Sequence, residues 1–428
     1  MVVGLILLFV LGCMSLYVGK SFNDKQHYDI AQTAQAQKED IARQLEYVDG
    51  HIGLLLYYIR FGIANESPEL AGLSLGHRDI RLAAQLVNIR NLEEQKNGNE
   101  LVNPLYQLLG NLDFSFVLIY LFPLIIIALN FNLLSEEKES GRWSLLAIQS
   151  QNPRNVIRTK LLIRLTLVWL LLSSLLLLSV IYMNISPNQD FFAFYMISLL
   201  YFIFWFSLSW WLISLDKSLS QNAIILLSFW LLLIIISPAV TNNVVTYLYP
   251  IEEAYETTID SRDGYHNKWD EDKATTIDKF KNHYPQFSKY NHPEGTDFGW
   301  LWYYAMQQMG DDEAEASRQA MKRKLTMRNK ITRWIGYLVP SIHTQLSMNA
   351  LSKTDMQNYL NYTDALESFH EKLRLSYYPI IFENESIEDQ DWDNIDLVYF
   401  KDERSTNWFS LLPPILLSML CLLLAKLN

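Results

Sequence analysis

"LLSEEKESGRWSLLAIQSQNPRNVIRTKLLIRL", Leu133–Leu165, is a compact polar elbow between two long apolar runs. Its first half is acidic and its second half is rich in arginine. The side of a membrane on which it lies orients everything else. From Ser135 to Arg164 there are six basic residues (Lys138, Arg142, Arg154, Arg158, Lys160, Arg164) and three acids (Glu136, Glu137, Glu139). The net charge is +3. Lys20–Leu112 has nine basic residues against twelve acidic, and Thr246–Asn407 has eighteen against twenty-eight. Short loops rich in Lys and Arg stay in the cytoplasm. The elbow is therefore expected inside, with both termini, and the two long segments outside.

Outward from the elbow, half of the 428 residues are hydrophobic, and they are segregated rather than mixed. A bilayer core of about 30 Å needs roughly 20 apolar helical residues. Six windows satisfy this: Met1–Gly19, Phe114–Leu134, Leu161–Met183, Phe191–Leu215, Ala223–Val245 and Phe409–Ala425. The first lacks a basic leader and a small-x-small cleavage site before Lys20, so it reads as a retained span rather than a signal peptide. The last has Pro413 and Pro414 near its start, where a first helical turn tolerates them.

The expected fold is an all-α membrane protein with a mostly helical extracytoplasmic domain built from two long loops. The division is 1–19, first span; 20–112, first outer loop; 113–134, second span; 135–160, elbow; 161–183, 191–215 and 223–245, third to fifth spans; 246–407, large outer loop; 408–427, sixth span.

Within the first loop, Gln26–Arg60 has Ile30, Ala34, Ile41, Leu45 and Val48 at helical spacing. A break follows at Asn65-Glu-Ser-Pro68. A second helix is expected over His77–Lys96, with Leu82, Leu86 and Ile89 inward and a turn at Asn97–Asn99, making an antiparallel helical hairpin. In the second loop, Tyr247–Lys281 is acidic with little apolar content. Tyr284–Gly295 reads as a loop, Trp300–Trp334 and Leu346–Tyr378 as helices, and acid-rich Glu383–Asp396 as surface.

In the elbow, Ser135 is expected to cap a helix whose first turn holds Glu136, Glu137 and Glu139, where the helix dipole favours acids. Trp143, Leu145, Leu146 and Ile148 form a short amphipathic segment. Asn152 and Pro153 are a cap and a first helical residue for the next helix. Arg154, Arg158 and Arg164 fall at the inner headgroups, where anionic lipid can pair with them.

Several chemistries are disfavoured. The net charge of −11 argues against nucleic acid as a partner. Cys13 and Cys421 lie inside spans, so no disulfide holds the outer loops. "GCMSLYVGKS", Gly12–Ser21, ends like a phosphate loop but its glycines are wrongly spaced. "EEKESGR", Glu136–Arg142, resembles intramembrane metallopeptidases, yet all eight histidines lie in the outer loops. His266, His283 and His292 lack metal-ligand spacing, and no metal site is expected. Ionisable groups are scarce at membrane depth, so proton coupling is not expected. Trp205, Trp210, Trp211 and Trp230 read as packing and interface anchors.

The elbow resembles that of permease subunits of ABC-2 type transporters. Those have six spans and, between the second and third, a Glu-rich Glu-x-Gly segment, apolar residues, a Pro-x-x-Arg-like element and a Lys. Here these are Glu136, Glu137, Glu139 and Gly141, then Leu145 and Leu146, then Pro153, Arg154 and Lys160. A subgroup whose function is not characterised, with large outer loops after the first and fifth spans, is similar over essentially the whole chain. Its features correspond to Ser237-Pro238, His292-Pro293-Glu294 and Phe369-His370. The sequence departs at the start, where the family has a basic elbow helix ahead of the first span.

The resemblance implies a coupling helix seated on a separate cytoplasmic ATPase, which binds the ATP and Mg; no cofactor is expected in this chain. Contact with that ATPase would fall on Glu136, Glu137, Glu139, Gly141, Arg142, Trp143, Leu145, Leu146, Pro153 and Arg154. It also implies a second permease subunit, identical or homologous, contact with membrane lipid, and a place in a bacterial inner membrane. Three readings follow: a permease, a mechanotransmitter acting on an external partner, or a membrane scaffold.

Overall fold

The computed structural model describes residues 2–96, 112–149, 153–293 and 296–427. The turn expected at Asn97–Asn99, the cap Asn152 and Glu294 lie outside these. The protein is an all-α membrane protein. Among the described residues, six helices are long and apolar enough to cross a membrane: Val2–Tyr47, Phe114–Glu139, Pro153–Met183, Gln189–Ser214, Leu219–Leu248 and Trp408–Leu427. Each covers all or nearly all of one of the expected windows.

The first span does not stop at Gly19. Val2–Tyr47 is one helix of 46 residues, about 70 Å long at 1.5 Å per residue. The reason is local. Lys20–Tyr47 contains no Gly or Pro and is rich in Ala, Gln, Lys and Glu, all strong helix formers. The lower half buries Leu8, Leu16 and Gly12 in the bundle, and the upper half buries Ile30, Gln37 and Ile41 in the polar domain. The helix ends before Gly50, whose φ of 105° is a left-handed conformation that glycine adopts at little cost.

The expected helical hairpin is corrected. His77–Lys96 is not a helix but a 3-10 turn (Gly76–Ile80), a strand (Ala84–Val87) and a short helix (Leu92–Lys96). Three strands form a sheet: β1 (Phe61–Asn65), β2 (Ala84–Val87) and β3 (Val398–Phe400), in the order β2-β1-β3. β1 pairs antiparallel with β2, Ile63 facing Gln85, and parallel with β3, Ile63 facing Val398. Gln37 ties the long helix to this sheet. Its amide oxygen accepts from Gly62 N at 2.6 Å and its amide nitrogen donates to Ile395 O at 2.9 Å.

The remainder of the polar domain is helical. The acidic stretch after the fifth span folds as Glu253–His266 and Lys273–His283. Trp300–Gly336 is one helix, and the expected Leu346–Tyr378 helix is split into Pro340–Leu351 and Met356–Phe382. The domain's core is aromatic, with Phe280, Tyr284, Phe287 and Tyr378 in mutual ring contact and Tyr304 packed against Tyr378. Pro340–Leu351 belongs to the bundle instead: Met348 and Leu351 sit in the same core cluster as Phe194, Tyr201 and Trp205.

Spans two and five each carry a π-helical turn, Val117–Leu121 and Leu231–Ile236, followed by Pro123 and Pro238. Proline lacks an N–H and its ring crowds the carbonyl four residues back, so a widened turn relieves the clash. The carbonyls released must be satisfied, because lipid offers no donor. Tyr201 donates to Ile119 O at 3.1 Å and Trp230 to Tyr120 O at 3.1 Å. Ser237 donates to Leu232 O at 2.7 Å, and Ser341, from the descending helix, to Leu233 O.

Candidate functional site

Two regions gather polar side chains in ways that packing alone does not require. The first is the elbow. The second span continues through Ser135–Glu139 without a side-chain cap. Ser135 is thus not the expected cap; it is buried inside the turn. Ser140 N donates to Glu136 O at 3.1 Å and Gly141 N to Lys138 O at 3.0 Å, closing the helix. Gly141 has φ 72°, where a side chain would be strained. The chain then reverses into Arg142–Gln149, and Pro153 opens the third span at its first position.

Glu137 is the pin of this elbow. Its carboxylate accepts from Arg142 Nε at 2.9 Å and from Lys160 Nζ at 2.6 Å, joining the turn to the third span. Glu136 accepts from Asn132 Nδ2 at 2.5 Å, and its other oxygen lies 3.4 Å from Arg142. Glu139 reaches the loop before the fifth span, accepting from Leu219 N at 3.3 Å. Lys138 pairs with Asp216 of that loop at 2.5 Å. The acids therefore organise the elbow internally and tie it to spans three and five. Asp216 and Leu219 could not be found by reading along the chain, because nothing in their local sequence marks them.

The outward surface of the elbow is mixed, with Glu136, Lys138, Arg142, Ser144 and Gln149 exposed alongside the apolar Ile148. Trp143 and Leu146 are half-buried, and Ile148 is 83% exposed. Lys138 lies over the Trp143 ring at 5.8 Å, and Arg158 over Trp210 at 5.6 Å. Arg154 is exposed. Leu133, Ile157 and Ile213 form a small core behind the turn.

The second region lies in the polar domain, where the two long segments of sequence meet. Asp311 accepts from Leu92 N at 2.8 Å and Glu93 N at 3.1 Å, and pairs with Arg374 at 2.8 Å. Arg374 also donates to Ile89 O at 3.2 Å and Arg90 O at 2.8 Å. His370 bonds Asn88 O through Nε2 at 2.9 Å. Burial pushes the Asp311 carboxyl up, while the guanidinium and the backbone donors pull it back. Burial, helped by Arg374, pushes His370 well below the ordinary range, so the ring is neutral. These groups strap Asn88–Glu93 onto the helices Trp300–Gly336 and Met356–Phe382.

Beside this strap is a cleft of about 450 Å³, partly open to solvent. One wall is the face of Met356–Phe382 that carries Tyr359, Tyr362, Leu366 and Glu367. The other is the face of Trp300–Gly336 that carries Arg318, Met321 and Leu325, with Arg78, Arg81 and Leu82 from the first segment. Burial pushes the Arg78 guanidinium down to about 10. His77 is lowered by burial and by Arg81. Burial pushes Glu93 up, but Lys96 and Arg318 pull harder and hold it below the ordinary carboxylate range. The histidines singled out in the sequence lie apart from one another. His283 pairs with Asp312 at 3.0 Å and His292 bonds Thr296 O at 3.2 Å.

Fold and sites together define a six-span membrane protein with a pinned elbow at one end and a clefted polar domain at the other. Residues 253–398 match a family model described as a domain of unknown function (DUF3526). The match takes in the helices of both cleft walls, Trp300–Gly336 and Met356–Phe382, but neither the elbow nor the first-segment residues Arg78, Arg81 and Leu82. No curated protein and no solved structure matches the chain.

Proposed function

We propose that this chain is a permease subunit of an ABC-2 type, ATP-driven transporter in a bacterial inner membrane. The elbow faces the cytoplasm together with both termini, and the polar domain faces the periplasm. A separate ATPase binds ATP and Mg and seats the Arg142–Gln149 helix. A second permease subunit, identical or homologous, completes the path. The observation that carries this reading is the exposed Ile148 on a short helix whose base is pinned through Glu137 to Arg142 and Lys160. A push on such a helix is delivered to the second and third spans, and through Glu139 and Lys138 to the start of the fifth. The net positive charge of the elbow supports its cytoplasmic side.

Co-purification of the ATPase from the native host tests the reading. Ile148→Arg and Trp143→Ala are expected to release it while the chain remains in the membrane. Retention of the ATPase by both variants overturns the proposal.

One feature favours a mechanotransmitting version, in which ATP-driven motion works on a periplasmic partner and no substrate crosses. The first helix runs unbroken from the bundle to the sheet. The two versions differ in what stimulates ATP hydrolysis: a lipid-like or peptide substrate for transport, a periplasmic protein alone for transmission.

A further inference from the structure

The cleft in the polar domain runs from Asp355 to Glu367 along one face of a helix, a length of about 18 Å at 1.5 Å per residue. Its volume of about 450 Å³ falls within the range of small-molecule sites. Its two ends differ. The far end is closed by a self-neutralising network in which Lys96 bridges Glu93 at 2.6 Å and Glu367 at 2.7 Å, and Arg318 reaches Glu93 at 2.9 Å. The near end is cationic. Arg81 lies over the Tyr359 ring at 4.0 Å. Arg78, beneath it, donates to the carbonyls of Asn65, Glu66 and Lys353 and to the Asn65 amide oxygen. Among the described residues neither guanidinium forms an ion pair. Of the nearby carboxylates, Asp355 pairs with Arg333 at 2.8 Å and Arg404 at 2.7 Å, Asp402 pairs with Arg404 at 2.7 Å, and Asp402 and Glu66 act on Arg78 through space.

Most polar groups of the wall are already partnered, the buried Arg318 Nε at the far end being an exception. Asn65 donates to Asn358 at 3.0 Å and Asn358 to Asp402 at 3.0 Å. Tyr362 donates to Ile63 O at 3.0 Å, Thr363 to Tyr359 O at 3.0 Å, Thr257 to Glu253 O at 2.6 Å and Thr354 to Ser74 O at 2.8 Å. A bound peptide would bring one donor and one acceptor per residue into this cleft and leave most without partners. A chain without hydrogen-bonding groups brings none. What remains for a ligand is chiefly the apolar surface of Leu82, Ile251, Met321, Leu325, Leu360 and Leu366, and the Arg81 guanidinium, which forms no ion pair among the described residues.

We propose that this cleft binds an amphipathic anion with a single long apolar chain, its acidic head on Arg81 and its tail along the groove toward Arg318. Carboxylate and phosphate heads share the chemistry that a guanidinium recognises. The mouth lies at the bundle end of the domain. Thr354 follows the helix Pro340–Leu351, whose Met348 is in the bundle core, and Ile251 lies just past the fifth span. A head at that mouth is therefore close to the bilayer surface, which supplies such molecules. Binding here needs no ATPase, so its failure and the failure of the ATP-driven reading are measured separately.

The test is photo-crosslinking of the full chain in neutral-lipid nanodiscs with a diazirine analogue of palmitate, mapped by mass spectrometry. The expected result is labelling of peptides from 318–325 and 357–366. Palmitate or lysophosphatidate should compete and hexadecanol should not; the better competitor identifies a carboxylate or a phosphate source. Arg81→Gln should weaken competition about tenfold, the loss of one charge-assisted contact. Met321→Trp, at a half-buried wall position, should abolish the labelling. Unchanged proteolysis and melting of the two variants separate lost binding from lost folding. Labelling confined to the spans, equal competition by hexadecanol, or labelling indifferent to both variants overturns the proposal.

Discussion

Asp311→Leu is the sharpest test of how the two halves of the polar domain are joined. Asp311 is 5% exposed and Arg374 2%, so the substitution leaves a buried guanidinium without its anion. Breaking a buried pair from one side costs about 3–5 kcal/mol. The backbone N–H groups of Leu92 and Glu93 also lose their acceptor, at about 1–3 kcal/mol each in isolation. These penalties share one site and do not add, so about 4 kcal/mol is expected. That is a thousandfold change in a local opening equilibrium at about 1.4 kcal/mol per decade. Hydrogen exchange of the full chain in nanodiscs should show amides of Asn88–Glu93 losing protection by about that factor. Asp311→Leu with Arg374→Met should be milder than Asp311→Leu alone, because no buried charge is left unpaired, although the N–H groups of Leu92 and Glu93 and the carbonyls of Ile89 and Arg90 all lose a partner. If the double variant is as damaged as the single one, charge pairing is not what holds the strap, and the reasoning fails.

Ser144→Cys, in the exposed elbow helix, should react with a membrane-impermeant maleimide only from the cytoplasmic side; labelling from the periplasm alone reverses the orientation and the proposed coupling with it. Glu137→Gln should raise the labelling rate of that same cysteine, since Arg142 and Lys160 lose the carboxylate that pins the turn. A Cβ at Gly19 would lie 1.8 Å from Gly72 O, whereas one at Gly4 would meet only the flexible Ile125 side chain at 3.3 Å. Gly19→Ala should therefore cost about 1–3 kcal/mol by overpacking, seen as a lower melting midpoint in detergent, and Gly4→Ala should be near neutral. His370 has a folded pKa held below its unfolded value near 6.5. Above that value both states are neutral and the contribution is fully present. As pH falls below it, only the unfolded state takes the proton, and stability drops by at most about 1.4 kcal/mol per pH unit. Asp311, whose carboxyl is pushed up, acts in the opposite sense at lower pH, so the slope is read just below pH 6.5. His370→Gln should flatten exchange protection there, and an unchanged slope refutes the assignment.

The spans were legible because lipid imposes a long apolar run that nothing else in a sequence imitates. Trp300–Gly336 was legible for a related reason: it is long and free of internal proline. The strand Ala84–Val87 was not. Leu82, Leu86 and Ile89 have helical spacing, but pairing with Phe61–Asn65 decides the conformation, and that strand is completed by Val398–Phe400 from the far end of the chain. The first helix was cut too early because composition changes at Lys20 while helix propensity does not. In the elbow, residue types and the glycine reversal could be read in order. Their partners Asp216 and Leu219 could not, since contact between loops is a property of the folded bundle. The cleft was invisible for the same reason: Arg81 and Tyr359 meet only after both long segments have folded.

The first helix passes from the bundle to the sheet without a joint. Its portion beyond Gly19 is about 40 Å long, so a tilt of ~10° inside the bilayer sweeps its tip sideways by about 7 Å. Gln37, laced to Gly62 and Ile395, would pass such a sweep to the sheet. In the proposed mechanotransmitting version, small rotations among the tightly packed spans would become broad, low-force strokes at the far surface.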